Sequence, residues 1–401
     1  MQSLNKKQQL TVLISGIIIE LIIGVVYAYS VIRLQLENEL GLTHTQSSIP
    51  YLTSLAVFAF MVMLSGRFMK KSNFYKWSIL GIISIGIGYM IAAYATNYLI
   101  FTLGHGVFIG IGVGILYGIP VQIIQTVYEK NQGLAVGLTI AGFGLSTVIV
   151  APVLQSSFNA VGFQNTLLYF GIASTILLSI FVWLLIRKLD LSKLYVKNKK
   201  EKVHASKYTF TIFFILFTLG IMFGLSMIGL TVYIGIDYYD LDVTTITIYM
   251  SLFALANGLF RPLFGFIYDK FKLKISVILI SLITLFVSMT YIFLNPSSLW
   301  LFILTITLSW GTVGGWLALM PIITKDLFGK NNFNRTYGYM YLSYGLAAVI
   351  GNLYTSILID SSVSLGVIFI PIMGISIASI LYILFIKIKL AHQNKSEFHS
   401  R

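Results

Sequence analysis

The 401-residue chain is 57% hydrophobic and only 10% charged, against roughly 25% charge in an average soluble domain. That composition excludes a soluble globular protein, whose surface needs far more charge, and a disordered chain, which could not be this apolar. The formal net charge of +14 points first to nucleic acid. The charges, however, fall almost entirely in short breaks between apolar runs, as a polytopic membrane protein requires.

Lipid leaves only helices or closed barrels, and no run shows the period-two alternation of a barrel strand. At about 20 apolar residues per crossing, the runs predict an all-α membrane protein of twelve transmembrane helices. They fall at 10–32, 48–68, 77–95, 98–127, 133–158, 165–186, 208–234, 243–268, 275–294, 299–324, 336–358 and 364–386. The first run follows Lys6 and Lys7, as a signal peptide would. Its length, with Glu20, Tyr27 and Tyr29 inside it, predicts an uncleaved first span instead.

The basic residues set the orientation. Lys6, Lys7, Lys70, Lys71, Lys76, Lys130, Lys270, Lys272, Lys274, Lys325, Lys330 and Arg335 lie at the amino terminus or in the loops after even-numbered spans. So does the Lys-rich segment 187–207, and the tail adds Lys387, Lys389, Lys395 and Arg401. The opposite loops hold Arg33 among Glu37, Glu39, Asp237, Asp240, Asp242 and Asp360. The positive-inside rule then predicts a cell-membrane protein with both termini cytoplasmic. Its basic balance is explained by topology and anionic lipid, not by nucleic acid.

Segment 187–207 divides the chain into two halves that share landmarks about 200 residues apart. Pro120 corresponds to Pro321, Lys130-Asn131 to Lys330-Asn331, and Gly66 to Gly265. Gly137 with Phe143-Gly144-Leu145 corresponds to Gly338 with Tyr344-Gly345-Leu346. Several matches at one offset indicate a duplicated six-helix unit. The expected organisation is an N-terminal bundle over 1–186, a basic cytoplasmic linker over 187–207, a C-terminal bundle over 208–386 and a cytoplasmic tail over 387–401. A parallel repeat of this kind usually holds its substrate at the bundle interface near the midplane. Gly106, Gly110, Gly114 and Gly118 recur every fourth residue on the fourth span, and Gly133, Gly137 and Ala141 on the fifth. Such stripes serve close helix packing, either static or sliding.

Three ionisable groups lie within the spans, where a charge is costly unless it faces a partner or a cavity. Arg261, before Pro262 and eight residues ahead of Asp269, either snorkels to the interface or offers a planar fork to a substrate carboxylate. Glu20 shares a helical face with Gly16, Gly24, Tyr27 and Val31. It is either a protonated structural carboxyl or a proton-coupling group, since burial raises a carboxyl pKa. His105, between Gly104 and Gly106 near the outer end of the fourth span, reads as a packed or interfacial histidine. The chain has no cysteine, and no Walker loop, zinc motif or nucleophile elbow occurs. Gly110-x-Gly112-x-Gly114 lies inside a span and is not a dinucleotide loop. The sequence therefore predicts no enzyme, no cofactor and no metal site.

Gly265-Phe-Ile-Tyr-Asp269-Lys270, followed by Lys272 and Lys274, resembles the loop motif of the major facilitator superfamily. In that motif the Asp tethers neighbouring helices and the cations stay cytoplasmic. In the first half, Lys70 stands at the Asp position. Further stretches resemble the oxalate/formate antiporter family within that superfamily. They are Gly24 to Ser30, Gly112 to Gly118, Gly133-Leu134-Ala135 with Ala141 to Gly144, Arg261-Pro262-x-x-Gly265-Phe266, and Tyr337-Gly338. The resemblance implies the major facilitator fold, with two pseudo-symmetric six-helix bundles and a carboxylate site between them. It also implies a substrate arginine at Arg261 and aromatic contacts from Tyr27, Tyr117 and Tyr341. The oxalate carrier has a second cation, a lysine, where this chain has Tyr344, and Val313 and Leu317 replace its aromatic positions on the tenth span.

These readings predict a secondary transporter of a small organic anion, driven by a gradient. One site cation rather than two suits a monocarboxylate of the formate, lactate or pyruvate type, moved by proton symport or anion exchange. The expected partners are that anion, protons and the lipid bilayer, with no nucleic acid, and the expected state is a monomer. Two rivals remain: a proton-coupled exporter of amphipathic compounds, and a non-transporting membrane sensor.

Overall fold

The computed structural model describes residues 5–70, 73–128, 130–187, 189, 206–294, 298–330, 333–360 and 364–385. Lys71, Asn331, nearly all of the linker 187–207 and the tail with Lys387, Lys389, Lys395 and Arg401 lie outside the described residues. The chain divides into two units, Met1–Val196 and Lys197–Arg401.

In the first unit the helices are α1 (Lys6–Ile23), α2 (Tyr29–Leu40), α3 (His44–Phe68), α4 (Phe74–Ala93), α5 (Tyr98–Phe101), α6 (Gly110–Val127) and α7 (Gln132–Ile186). A 3-10 segment, Gly24–Ala28, joins α1 to α2, and a π-helical segment, Thr102–Ile109, joins α5 to α6. The second unit holds α8 (Lys207–Asp237), α9 (Val243–Met289), α10 (Leu299–Phe328), α11 (Phe333–Asp360) and α12 (Leu365–Phe385). Capping side chains set several starts. Asn5 and Gln8 form a capping box at α1, Thr43 and Gln46 form one at α3, and Asp242 accepts from the Thr245 amide at 2.9 Å to open α9.

Among the described residues, nine helical stretches are long and apolar enough to cross a membrane. The 55-residue α7 would run roughly 80 Å at 1.5 Å per residue, more than twice the hydrocarbon thickness. It is two crossings joined at Gly162, whose φ of 80° breaks the helix. The 47-residue α9 is likewise two crossings joined at Lys272, with φ 62°. These reversals fall in the gaps between the predicted spans 5 and 6 and the predicted spans 8 and 9. The first span differs from expectation. Its helix tightens at Gly24–Ala28 and continues as α2 to Leu40, where Gly41 at φ 60° ends it.

Glycine lets the helices of the first unit approach closely. A Cβ on Gly110 would lie 3.0 Å from the Ser54 carbonyl oxygen, and one on Gly114 would lie 2.6 Å from that of Phe58. Gly106 meets Thr53 and Pro50 in the same way, so these three glycines pack on α3. Gly118 has open space instead and does not continue the stripe. Pro120 in α6 and Pro321 in α10 occupy matching places in the two units.

Candidate functional site

Arg261 lies within the first crossing of α9 and has no exposed surface. Its stem does not carry the guanidinium out to the helix end, as a snorkelling arginine would. Pro262 follows it and cannot supply the N–H that an interior helical position would normally donate. One turn earlier, buried Asn257 accepts a hydrogen bond from Arg261 Nη2 at 3.1 Å. A Cβ at Gly314 of α10 would collide with the Asn257 carbonyl oxygen and stand 3.3 Å from Arg261 Cγ. The glycine thus lets α10 close over both residues.

Tyr341 and Tyr344 are buried on α11. Their rings stand 5.4 Å apart, and Tyr337 meets Tyr341 at 5.7 Å. The three rings make one continuous face, as spacings of i, i+4 and i+7 dictate. Trp310 and Trp316 both turn toward α8. The indole N–H of Trp310 donates to Thr231 Oγ1 at 3.0 Å, while Trp316 meets Phe217 edge-on at 5.6 Å and covers Gly220.

In the first unit, Glu20 is buried in the seam between α1 and α7. A Cβ on Gly142 of α7 would lie 3.2 Å from Glu20 Cβ and collide with the Ile17 carbonyl oxygen. Gly16 packs toward Thr139 and Gly24 toward Phe143 and Ser146, so the sequence-derived face of Gly16, Glu20 and Gly24 is the one turned to α7. Beyond Gly24, i and i+3 eclipse in the 3-10 segment, which brings Tyr27 onto the same side. Tyr27 meets Phe143 edge-on at 4.8 Å. Tyr117 meets Phe143 at 5.4 Å and Phe58 at 5.2 Å, so Tyr27, Phe58, Tyr117 and Phe143 form one aromatic cluster.

His105 is buried in the π-helical segment, stacked on Phe101 at 5.6 Å and against Tyr29 at 4.8 Å. Arg33 pairs with Glu37 at 3.3 Å, and Ser47 donates to Glu37. Among the described residues no group of three His, Cys, Asp or Glu could hold a metal.

The loop motif lies at the end of the first crossing of α9. Gly265 is buried there, and Tyr268 donates to Asp326 of α10 at 2.8 Å. Lys272 donates to the Asp269 carbonyl at 2.8 Å, and Lys270 lies over the Phe271 ring.

Asn257, Phe58 and the Tyr268–Asp326 bond had no place in the sequence reading, and Phe143 entered it only as a landmark of the repeat and of the family resemblance. A polar residue four before a membrane arginine is a usable signal, because i and i+4 share a face. Phe58 sits in a uniformly apolar run that offers no such mark.

Apolar helices of membrane-crossing length, divided between two units, make this a multi-pass membrane protein. The chain belongs to the Major Facilitator Superfamily, whose family model matches residues 12–237 and 212–400. It is a transporter and not an enzyme. It is 24% identical over 346 residues to the MFS-type transporter YhjX of Escherichia coli (strain K12), across 84% of this chain and 85% of that one. It is 28% identical over 272 residues to the oxalate:formate antiporter of Oxalobacter formigenes, across 65% of this chain and 62% of that one. A shorter match, 33% over 95 residues, joins it to monocarboxylate transporter 12 of Xenopus laevis, across 23% of this chain and 20% of that one. Among solved structures, the proton:xylose symporter XylE matches in fold. The TM-score is 0.75 at 13% identity, over 97% of this chain and 98% of that one.

Proposed function

We propose that the protein moves a small monocarboxylate, of the formate, lactate or pyruvate type, across the cell membrane by alternating access. The observation that carries this reading is Arg261, a permanently charged guanidinium held wholly inside a membrane-spanning unit by Asn257. An ionisable group kept inside a membrane-spanning unit is a mark of a functional site, and the guanidinium fork matches a carboxylate. The likeness to an oxalate:formate antiporter and to a monocarboxylate transporter supports the same substrate class. Tyr341 and Tyr344, with Tyr27 and Tyr117, are the proposed aromatic substrate contacts. Glu20 is the proposed proton-coupling group where transport is symport, and exchange of one anion for another is the other mode. Gly265, Asp269 and Lys270 are the proposed gating motif, the termini are proposed to be cytoplasmic, and the working unit is proposed to be a monomer.

The test is uptake of labelled formate, lactate and pyruvate into proteoliposomes holding native protein, Arg261→Ala or Arg261→Lys. Native uptake is expected, lost in the alanine variant and scarcely recovered by lysine, whose point charge cannot reproduce the fork. Full uptake by Arg261→Ala, or native transport of amphipathic cations instead, refutes the reading.

A further inference from the structure

His105 sits in the π-helical segment Thr102–Ile109 with no exposed surface. Among the described residues, neither of its ring nitrogens has a hydrogen-bond partner. Its ring stacks on Phe101 at 5.6 Å and meets Tyr29 of α2 at 4.8 Å. The flanking glycines hold the segment tightly. A Cβ on Gly104 would lie 2.6 Å from the Ala92 amide nitrogen of α4, and one on Gly106 would lie 3.1 Å from the Pro50 carbonyl oxygen of α3. The titratable and charged groups on this side are the Tyr29 phenol, Tyr51 of α3 stacked on Tyr29 at 5.4 Å, and the Arg33–Glu37 pair of α2. At Gly104, α4 presents Gly88, Ile91 and Ala92, none of them titratable. The Tyr29 hydroxyl donates to the Ser47 carbonyl at 2.6 Å, and the Ser47 hydroxyl donates to Glu37, whose side chain is 17% exposed. A polar path therefore runs from the protein surface to the ring that faces His105.

Packing alone does not account for a histidine here. Phenylalanine would fill the same stack without burying two polar atoms, each costly when its hydrogen bond is unmade. What histidine adds is a proton gained or lost near neutral pH. π-Helical turns also recur at functional sites. Resting on the carboxylate reading above, we propose that His105 is a proton-binding site of the transport cycle, separate from Glu20. While stacked, the imidazole is neutral, because an imidazolium would hold two N–H donors with nothing to accept them. When Tyr29 and Phe101 part, the ring meets water and the free nitrogen lone pair takes a proton. Loading is thereby tied to opening of this end of the first unit, and the proton accompanies the monoanion.

The experiment measures exchange of labelled formate, lactate and pyruvate, at subsaturating concentration, in proteoliposomes with the same pH on both sides. The pH is stepped from about 8 to about 5.5, and flux through protein-free liposomes is subtracted; an ordinary histidine passes from almost unprotonated to almost fully protonated over that range. Native exchange is expected to rise about threefold or more as the pH falls through it. His105→Gln and His105→Phe should lose most of that dependence. His105→Phe should also unfold in detergent at or above the native temperature, since it keeps the stack and removes two unpaired polar atoms. A histidine present only for packing predicts the native pH profile in both variants. That result overturns the inference, as does a flat profile in the native protein. Where the variants fail to fold or to exchange, native protein decides. Diethyl pyrocarbonate, which acylates neutral imidazole, should modify His105 during exchange, as read by mass spectrometry, and exchange should fall in step. His105 still unmodified when exchange has run to completion overturns the inference. Native protein that moves none of the probes sinks the carboxylate reading and this inference together, whereas exchange with a flat profile sinks the inference alone.

Discussion

The Tyr268 hydroxyl donates to Asp326 Oδ2 at 2.8 Å and so joins α9 to α10 at one end of the second unit. Tyr268 adjoins Asp269, where the family motif implies a tether of its own, so the bond adds a tie from the residue before it. The chain then reverses at Lys272, whose ammonium bonds the Asp269 carbonyl. A second tie runs from Lys274 Nζ to the Leu384 carbonyl near the end of α12, at 3.3 Å.

Tyr268→Phe removes one hydroxyl and leaves the ring buried. The lost bond to a charged acceptor should cost about 1.5–3 kcal/mol, seen as a lower unfolding temperature. Substrate KM should stay near native while Vmax falls, because the tether lies two helical turns, roughly 10 Å, along α9 from Arg261 and ties two helices rather than lining the guanidinium. Asp326→Asn should be milder, since the amide oxygen still accepts from the phenol. A phenylalanine variant as stable and as fast as native protein would remove any role for this bond.

Glu20 presses its stem against Gly142 in a tight seam. If it couples protons, Glu20→Gln keeps the shape and hydrogen bonding but fixes the group as neutral. Accumulation driven by a pH gradient should then collapse, while counterflow exchange with no gradient continues. Unchanged pH-driven accumulation would return Glu20 to a structural role in the α1–α7 seam.

The glycines of the fourth span give a control within one helix. Gly114→Ala places a methyl 2.5 Å from Met61 Cβ and 2.6 Å from the Phe58 carbonyl. Forcing α3 and α6 apart should cost roughly 1–3 kcal/mol. Gly118→Ala meets nothing within 4 Å and should leave the unfolding temperature unchanged, or raise it slightly through better helix propensity. Equal effects at the two positions would mean that the packing against α3 is not the reason for the glycines.

Those two glycines also show what a sequence can and cannot disclose. Spacing by four placed both on one stripe, yet only a neighbour decides whether a stripe position is in contact, and Gly118 has none. Membrane class and span positions were legible because lipid imposes a length and forbids unpaired backbone. The reversals at Gly162 and Lys272 fell where the apolar runs break. Arg261 and Glu20 were legible because charge inside an apolar run is rare. Asn257 is a neutral side chain in the same run, marked only by its spacing of four from Arg261, whose Nη2 donates to it. Phe58 and Phe143 became part of an aromatic cluster only through long-range packing, which local pattern does not encode. The 3-10 tightening at Gly24–Ala28 is similar: Gly24 packs against the Phe143 backbone of another helix.

Tyr344 gives the sharpest test of substrate charge. It is fully buried, with its ring 5.4 Å from that of Tyr341 on the continuous aromatic face of α11. The family resemblance sets a second substrate cation at this position in the oxalate carrier, whereas a phenol supplies only a neutral hydrogen bond. A dianion with one charge left uncompensated in a low-dielectric site carries a desolvation cost of several kcal/mol, on the order of a hundredfold or more in affinity. A monoanion matched to Arg261 avoids it. The native protein should therefore prefer formate and lactate over oxalate, and Tyr344→Lys should shift the preference toward dicarboxylates at their expense. The measurement is competition by formate, lactate and oxalate against a labelled monocarboxylate in vesicles of both proteins. Thermal unfolding alongside checks that the buried lysine is tolerated, and Tyr344→Phe serves as the variant that removes the hydroxyl without adding charge. Tight oxalate binding by the native protein would sink the charge-counting argument, because one guanidinium and a phenol would then suffice for two carboxylates.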